Sequence, residues 1–216
     1  MIKVENIDTW GFEHAIRGMR NPLNSWDRSD SYAGEPDCYE DCNCCTLGEF
    51  FVGENDLKLM RQLYVGGQPH RKYLRQIFAV MDITAPLYWW KEFDTYKVGT
   101  TANSCSTMHK IAAKEFTLSD FSTEHLTGMS IAALDHVLDV MNLERGHYIV
   151  TKDKDCWWQM IQLLPSSYNQ RRTVSMTYEN VMNMLDYREG HKLDEWREFC
   201  KILKQLPYVE EIRDGR

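Results

Sequence analysis

No apolar run in this sequence is long enough to cross a bilayer, which argues against a helical membrane protein. The first residues, MIKVENIDTW, lack the basic segment and apolar stretch of a secretory signal, so the expected location is the cytoplasm. Positive charge is in deficit as well. Lys and Arg number 25 against 32 Asp and Glu, a net charge of −7. A field of that sign attracts neither nucleic acid nor an acidic membrane surface, and leaves room only for a local basic pocket holding a small anion such as a nucleotide. The Gly-rich phosphate fingerprints are missing, as are internal repeats and any convincing linker. The chain is therefore expected to fold as a single domain over 1–216, with a Cys-rich insertion loop at about 24–48.

Apolar residues make up 43% of the chain, which is enough to bury a sizeable core, and the 12% of aromatics supply both core volume and stacking surface for a flat ligand. The seven cysteines are an odd number without a secretory signal, and read as reduced thiols. Four of them, Cys38, Cys42, Cys44 and Cys45, are crowded into the loop NSWDRSDSYAGEPDCYEDCNCC. The spacing of Cys38, Cys42 and Cys45 is also that of a radical-SAM iron–sulfur motif. The repeated strand–helix units that accompany such a motif are absent, and no second Cys or His cluster completes a zinc site. The leading reading is a loop of free thiols with no metal, and the alternative is a metal held by Cys38, Cys42 and Cys45.

Periodicity and punctuation predict a helix from Phe12 to Met19, stopped by Asn21-Pro22, and an irregular loop from Asn24 to Cys45. A helix capped by Asn55 should close at Gly66-Gly67, and a strand should cover Leu74 to Ile83. Thr84-Ala85-Pro86 reads as a strand-to-helix junction, with Thr84 as cap and Pro86 in the first turn of an aromatic helix, LYWWKEFDTYK. Beyond a polar stretch from Val98 to His109, Ile131, Leu134, Val137, Leu138 and Met141 mark an amphipathic helix near Gly128 to Leu143, with Gly146 as its stop. Asp153 to Leu164 predicts a further helix, Arg172 to Met176 a strand, and Tyr178 to Tyr187 and Leu193 to Leu206 two last helices.

Two regions carry polar side chains in arrangements suited to a ligand. In the first, Asp82 to Lys110, the aromatic helix leads into a run of short hydroxyl, amide and thiol side chains. Such a run lines a phosphate or pyrimidine site, or else is a solvated turn. In the second region Asn180, Asn183 and Tyr187 recur at helical spacing, with Arg188 at the helix end and His191 just beyond. Arg188 there either meets a ligand or pairs with Glu195 or with helix-end carbonyls. His14, His109, His125, His136 and His147 show no ligand spacing.

In this order and at this separation, the two regions resemble the flavin-dependent thymidylate synthase family over about two thirds of the chain. In that family a strand and a helix opening with Ala-Pro lead to Arg-His-Arg and then, after seven residues, to Ser; Phe78 to Ser106 resembles this layout. Leu164-Pro165, Asn183, Arg188 and Glu195-Trp196-Arg197 fit the later landmarks. Where the family has Arg-His-Arg, this chain has Thr95-Tyr96-Lys97. The motif serine aligns with Ser106 when one extra residue is allowed, and with Cys105 otherwise.

The resemblance implies an α/β (α+β) fold with a central mixed or antiparallel sheet and flanking helices. It further implies a homotetramer holding FAD, and the reductive methylation of dUMP to dTMP with methylenetetrahydrofolate and NADPH. By the same resemblance Ser106 is the catalytic candidate. Tyr96, Lys97, Asn183 and His191 are candidates for the cofactor, and Glu92, Ser104, Cys105, Ser106 and Arg188 for the nucleotide. Lys97, Arg171 and Arg172 are the cations that stand in the right regions to replace the missing guanidinium groups, and the Arg pair reads equally as solvated surface. The altered motif raises two alternatives: a non-catalytic nucleotide-binding paralogue, or a flavoenzyme acting on a different pyrimidine nucleotide.

Overall fold

The computed structural model describes residues 2–34 and 50–214. Along the chain run β1 (Lys3–Trp10), α1 (Phe12–Arg20), β2 (Tyr32–Ala33), β3 (Phe50–Phe51), α2 (Glu54–Val65) and β4 (Phe78–Pro86). They are followed by α3 (Leu87–Phe93), β5 (Thr100–Ser104), α4 (Thr107–Lys110), α5 (Gly128–Thr151) and α6 (Lys154–Leu163). The chain ends with β6 (Asn169–Thr177), α7 (Tyr178–Arg188), α8 (Asp194–Lys204) and α9 (Val209–Arg213). One sheet has the strand order β1-β4-β6-β5, and a second joins β2 to β3 antiparallel, with Tyr32 opposite Phe51. This is the α/β architecture of sheet and flanking helices that the resemblance implies. No helix among the described residues is long and apolar enough to cross a membrane.

The chain forms two compact units. One comprises Met1–Asn6, Met81–Val174 and His191–Phe199, the other Ile7–Val80, Ser175–Gly190 and Cys200–Arg216. β1, β4, β6 and α8 thus each give residues to both.

In the unit containing α1, Phe12, Ala15, Ile16 and Met19 form the buried stripe of the helix, and Phe12 meets the Tyr178 and Tyr208 rings edge-on, each at 5.5 Å. Gly11 precedes α1 at φ 97, where a Cβ would stand 2.1 Å from the Gln76 carbonyl oxygen, so neither the conformation nor the space admits a side chain. The loop after α1 is pinned by one buried carboxylate. Asp56 accepts hydrogen bonds from Arg20 Nε at 2.6 Å, Ser29 Oγ at 2.7 Å, Ser31 Oγ at 2.7 Å, and the backbone N–H groups of Asp30 and Ser31, each at 3.2 Å. Asp30 returns the favour, accepting from the N–H groups of Asn55 and Asp56 at the start of α2. The expected cap at Asn55 is therefore displaced. Gly53 is the boundary residue, and the carboxylate that satisfies the helix donors comes from a residue 25 positions upstream of Asn55.

In the unit containing α5, Ile111, Phe116, Phe121, Leu134, Leu138, Met141 and Met160 form a buried cluster, with Val137, Tyr148, Trp157 and Ile161 packed against it. The predicted apolar face of α5 is thus the face that is covered. The helix runs through Gly146 instead of stopping there, and ends at Thr151, with Lys152 as its C-cap in a left-handed conformation at φ 59. A glycine inside a helix costs about 1 kcal/mol, and packing of Tyr148 beyond it offsets that cost.

The start of α3 also departs from expectation. Thr84 lies within β4, the strand continues to Pro86, and no side chain caps the helix. Its first donors are taken instead by distant carbonyls, Leu87 N–H by Tyr168 O and Tyr88 N–H by Ser166 O, each at 3.0 Å. The strand predicted from Leu74 begins only at Phe78, because Arg71–Gln76 forms a 3-10 turn. The aromatic helix ends at Phe93, and the polar stretch after it folds into β5 and α4. β1, β2, β3 and α9 have no counterpart in the sequence reading, and β2 lies within the stretch expected to be an irregular loop.

Two outcomes test this account. Gly146→Ala is expected to stabilise the protein by about 0.5–1 kcal/mol, because an added Cβ has nothing within 4 Å of it. A higher urea midpoint checks this. The Arg20 and Asp56 side chains are 4% and 0% exposed; Asp56→Ala leaves a guanidinium buried without its partner and should cost about 3–5 kcal/mol. Burial alone would raise the Asp56 pKa, but the bonds from Ser29, Ser31 and Arg20, and the charge of Arg20, outweigh it and hold the carboxyl below its ordinary value. The stabilisation is therefore present above the unfolded-state pKa and is lost as pH falls through the folded one, so the unfolding midpoint of the native chain should drop faster in acid than that of Asp56→Ala.

Candidate functional site

β4 alternates from Phe78 to Ala85, with Ala79, Met81, Ile83 and Ala85 buried and Phe78, Val80, Asp82 and Thr84 half-buried. A carboxylate in the middle of such a strand needs partners. Asp82 accepts from Thr173 Oγ1 at 2.5 Å and Arg171 Nη2 at 2.7 Å on β6, and from Asn6 Nδ2 at 2.8 Å on β1. Those bonds, Thr173 first, hold the Asp82 carboxyl far below the usual carboxylate range, and the paired carboxylate raises the Arg171 pKa in turn.

The neighbouring residues of β6 face the aromatic helix. Trp90 Nε1 donates to the Gln170 carbonyl at 2.9 Å. The Arg172 guanidinium lies over the Trp90 ring at 4.2 Å and donates to Asp94 Oδ1 at 2.8 Å and to Gln170 Oε1 at 3.0 Å. Gln170 Nε2 donates onward to the Cys105 carbonyl at 2.9 Å, while Cys105 N–H donates to the Arg171 carbonyl at 2.9 Å. The end of β5 is thereby fixed to β6. Both arginines that stood in the right regions are present, and both are committed to carboxylates of this chain.

Beneath these groups lies an aromatic cluster. Trp89 contacts Trp90, Phe93, Trp196 and Phe199 at centroid distances of 4.9–5.3 Å. Trp196 Nε1 donates to Glu92 Oε2 at 3.0 Å, and His191 Nε2 stands 3.4 Å from the same oxygen. The Tyr96 ring lies 6.0 Å from that of Trp196. Next to it, Tyr88 O–H donates to buried Glu195, and burial together with that carboxylate keeps the phenol protonated far above its ordinary pKa.

Three of the sequence candidates, Glu92, Tyr96 and His191, thus meet around Trp196. Ser104, Cys105 and Ser106 form the junction of β5 and α4, where Ser104 and Cys105 are exposed. Ser106 is half-buried and its Oγ accepts the His109 N–H at 3.2 Å, which leaves its hydroxyl hydrogen to donate. Lys97 is exposed after the turn that ends α3. Asn183 and Arg188 lie on α7 in the other unit, both half-buried. Cys38, Cys42, Cys44 and Cys45 lie outside the described residues; the described cysteines, Cys105, Cys156 and Cys200, are free thiols. The sequence reading did not single out Asp82, although a lone acid in an apolar strand is a visible signal. Nor did it pair Trp90 with Arg172, for which the sequence holds no signal at all.

Removing the strongest donor to Asp82 should release its carboxyl. In Thr173→Val the Asp82 pKa is expected to move up toward the unfolded value of about 3.9, as read by carboxyl-carbon NMR titration. Because the folded pKa is depressed, the native protein gains stability from this carboxylate above that value and loses it as pH falls below it. An unchanged titration would refute the assigned hydrogen bond.

No protein-family model matches the sequence, and no curated protein matches it significantly. The fold, by contrast, has solved counterparts. The flavin-dependent thymidylate synthase ThyX from Helicobacter pylori, complexed with FAD and dUMP, superposes with a TM-score of 0.66 at 15% identity, covering 99% of each chain. A second structure of Thymidylate Synthase X from the same organism, also with FAD and dUMP, gives a TM-score of 0.64 at 14% identity, covering 100% of this chain and 99% of the other. Across its whole length this chain has the fold of the flavin-dependent thymidylate synthases.

Proposed function

We propose that this protein binds FAD and a pyrimidine nucleotide and carries out the reductive methylation of dUMP to dTMP, with methylenetetrahydrofolate as carbon donor and NADPH as electron source. The observation that carries the reading is the likeness, end to end, to two structures that hold FAD and dUMP together. The donor set supports it. Lys97 offers an exposed ammonium; Ser104 and Ser106 offer hydroxyls at one strand end, suited to a phosphate. Tyr96 offers a half-buried ring next to Trp196, suited to a flat heterocycle.

FAD, when bound, supplies the hydride chemistry that side chains cannot. The chain's own groups bind and orient. Tyr96, Lys97, Asn183 and His191 serve the cofactor, and Glu92, Ser104, Cys105, Ser106 and Arg188 the nucleotide, with Ser106 nearest the chemistry. Trp196 fixes Glu92 through its indole N–H, so that carboxylate is held for its task before a ligand arrives. The assembly is a homotetramer and works in the cytoplasm.

A specific observation favours a second reading, a non-catalytic nucleotide-binding paralogue. Thr95-Tyr96-Lys97 replaces the family's Arg-His-Arg, and Arg171 and Arg172 are held by Asp82 and Asp94 instead of facing a ligand. Each charge-assisted bond to phosphate that is lost costs about 1.5–3 kcal/mol.

The absorption spectrum of the purified protein, with dUMP calorimetry, separates the two. A flavin spectrum at one FAD per chain is expected, with FAD affinity falling roughly 10- to 100-fold in Lys97→Met and dUMP affinity falling by a similar factor in Arg188→Ala. Expression should also rescue a thymidine-requiring bacterium. A colourless protein that takes up no FAD and rescues nothing refutes the enzyme, and tight nucleotide binding without flavin establishes the second reading in its place.

A further inference from the structure

The long helix α5 carries Glu144 and His147 three residues apart, so the two side chains lie one above the other on one face near its C-terminal end. The chain then reverses within two residues. Lys152 adopts φ 59, and Asp153 caps α6 by accepting the Asp155 N–H at 2.9 Å. This tight turn sets Cys156, the third residue of α6, back against α5. His147 Nδ1 stands 3.8 Å from Glu144 Oε2. One ligand atom from each of the three residues lies within 4.8 Å of both others, and this is the one group of its kind among the described residues.

We propose that Glu144, His147 and Cys156 form a binding site for a divalent cation of the zinc class, which clasps the end of α5 to the start of α6. A carboxylate oxygen, an imidazole nitrogen and a thiolate sulfur make up a mixed donor set that suits zinc and is a poor match for magnesium or calcium, which require oxygen donors. At tetrahedral zinc, with bonds of about 2.0–2.3 Å, ligand atoms stand about 3.5 Å apart. All three ligand atoms lie within 4.8 Å of one another, so no separation has to close by more than about 1.3 Å, and His147, whose side chain is 57% exposed, has rotamer freedom to move inward. Glu144 and Cys156 are half-buried, so their side chains have less room to move than that of His147. Asp153 and Asp155 add negative potential at Cys156. Binding replaces the thiol proton with the metal and releases that proton to solvent. Three protein ligands leave one position open to water. No step in the proposed reaction uses these residues.

Cobalt(II) is the probe, because a cobalt–thiolate bond has a charge-transfer band and a four-coordinate site has intense visible transitions. The full chain carrying Cys38→Ser, Cys42→Ser, Cys44→Ser and Cys45→Ser removes competing loop thiols. It should bind one Co²⁺ with a thiolate band, give it up to Zn²⁺, and show a higher Tm with Zn²⁺ present. Cys156→Ser should abolish the band, and His147→Gln should weaken binding at least tenfold, with the metal-free circular dichroism unchanged in both. A protein with no thiolate band, or a band of equal strength in Cys156→Ser, overturns the proposal. If the four loop changes prevent folding, the same comparison is made on the native chain, where Cys156→Ser must remove one equivalent of bound Co²⁺; no loss of an equivalent overturns it.

Discussion

The packing of Trp89 is the constraint from which the candidate site takes its geometry. This residue is fully buried, and four aromatic rings from α3 and α8 close around it. Its indole N–H finds no acceptor among the described residues, so ring packing, and no polar bond, holds it where it is. Aromatic pairs of this sort contribute about 0.5–1.5 kcal/mol each beyond area burial. The functional groups depend on that rigidity. Trp90 continues the cluster and carries Arg172 on its face; Trp196 continues it on the other side and holds Glu92, with His191 against the same carboxylate oxygen.

Around this apolar centre, acidic residues act as internal anchors. Asp82 gathers β1 and β6 side chains onto β4, Asp94 holds Arg172, and Asp56 organises the loop after α1. A chain with 32 acidic and 25 basic residues spends several of its cations on such anchors. That expenditure bears directly on function. A guanidinium already paired to a carboxylate is a weaker phosphate ligand, because the new contact must replace an existing one. Under the proposed function, the phosphate contacts therefore fall to groups other than Arg171 and Arg172.

Elements whose signals are local were legible in the sequence. The periods of α1, α5 and α7 and the alternation of β4 can be read residue by residue, and Asn21-Pro22 and Pro165 mark stops. Errors came where a long-range partner replaced a local one. Asp30 displaced Asn55 as the cap of α2, carbonyls of residues 166 and 168 replaced Thr84 at the start of α3, and packing of Tyr148 carried α5 through Gly146. The candidate site divided in the same way. Glu92, Tyr96, His191 and Ser104 to Ser106 were reached through the resemblance. Asp82 and its partners are separated by up to 91 positions, and no spacing rule connects them.

By itself the sequence determined the class of fold, the order of its landmarks and the loss of Arg-His-Arg at Thr95-Tyr96-Lys97, because periodicity, punctuation and residue identity are properties of neighbours along the chain. Only the tertiary structure decided which cations are already paired, that Ser106 caps a helix, and that His147 stands beside Glu144 and Cys156. Those facts depend on side chains from different elements sharing a few ångströms of space, where the cost of an unpartnered charge selects the partner.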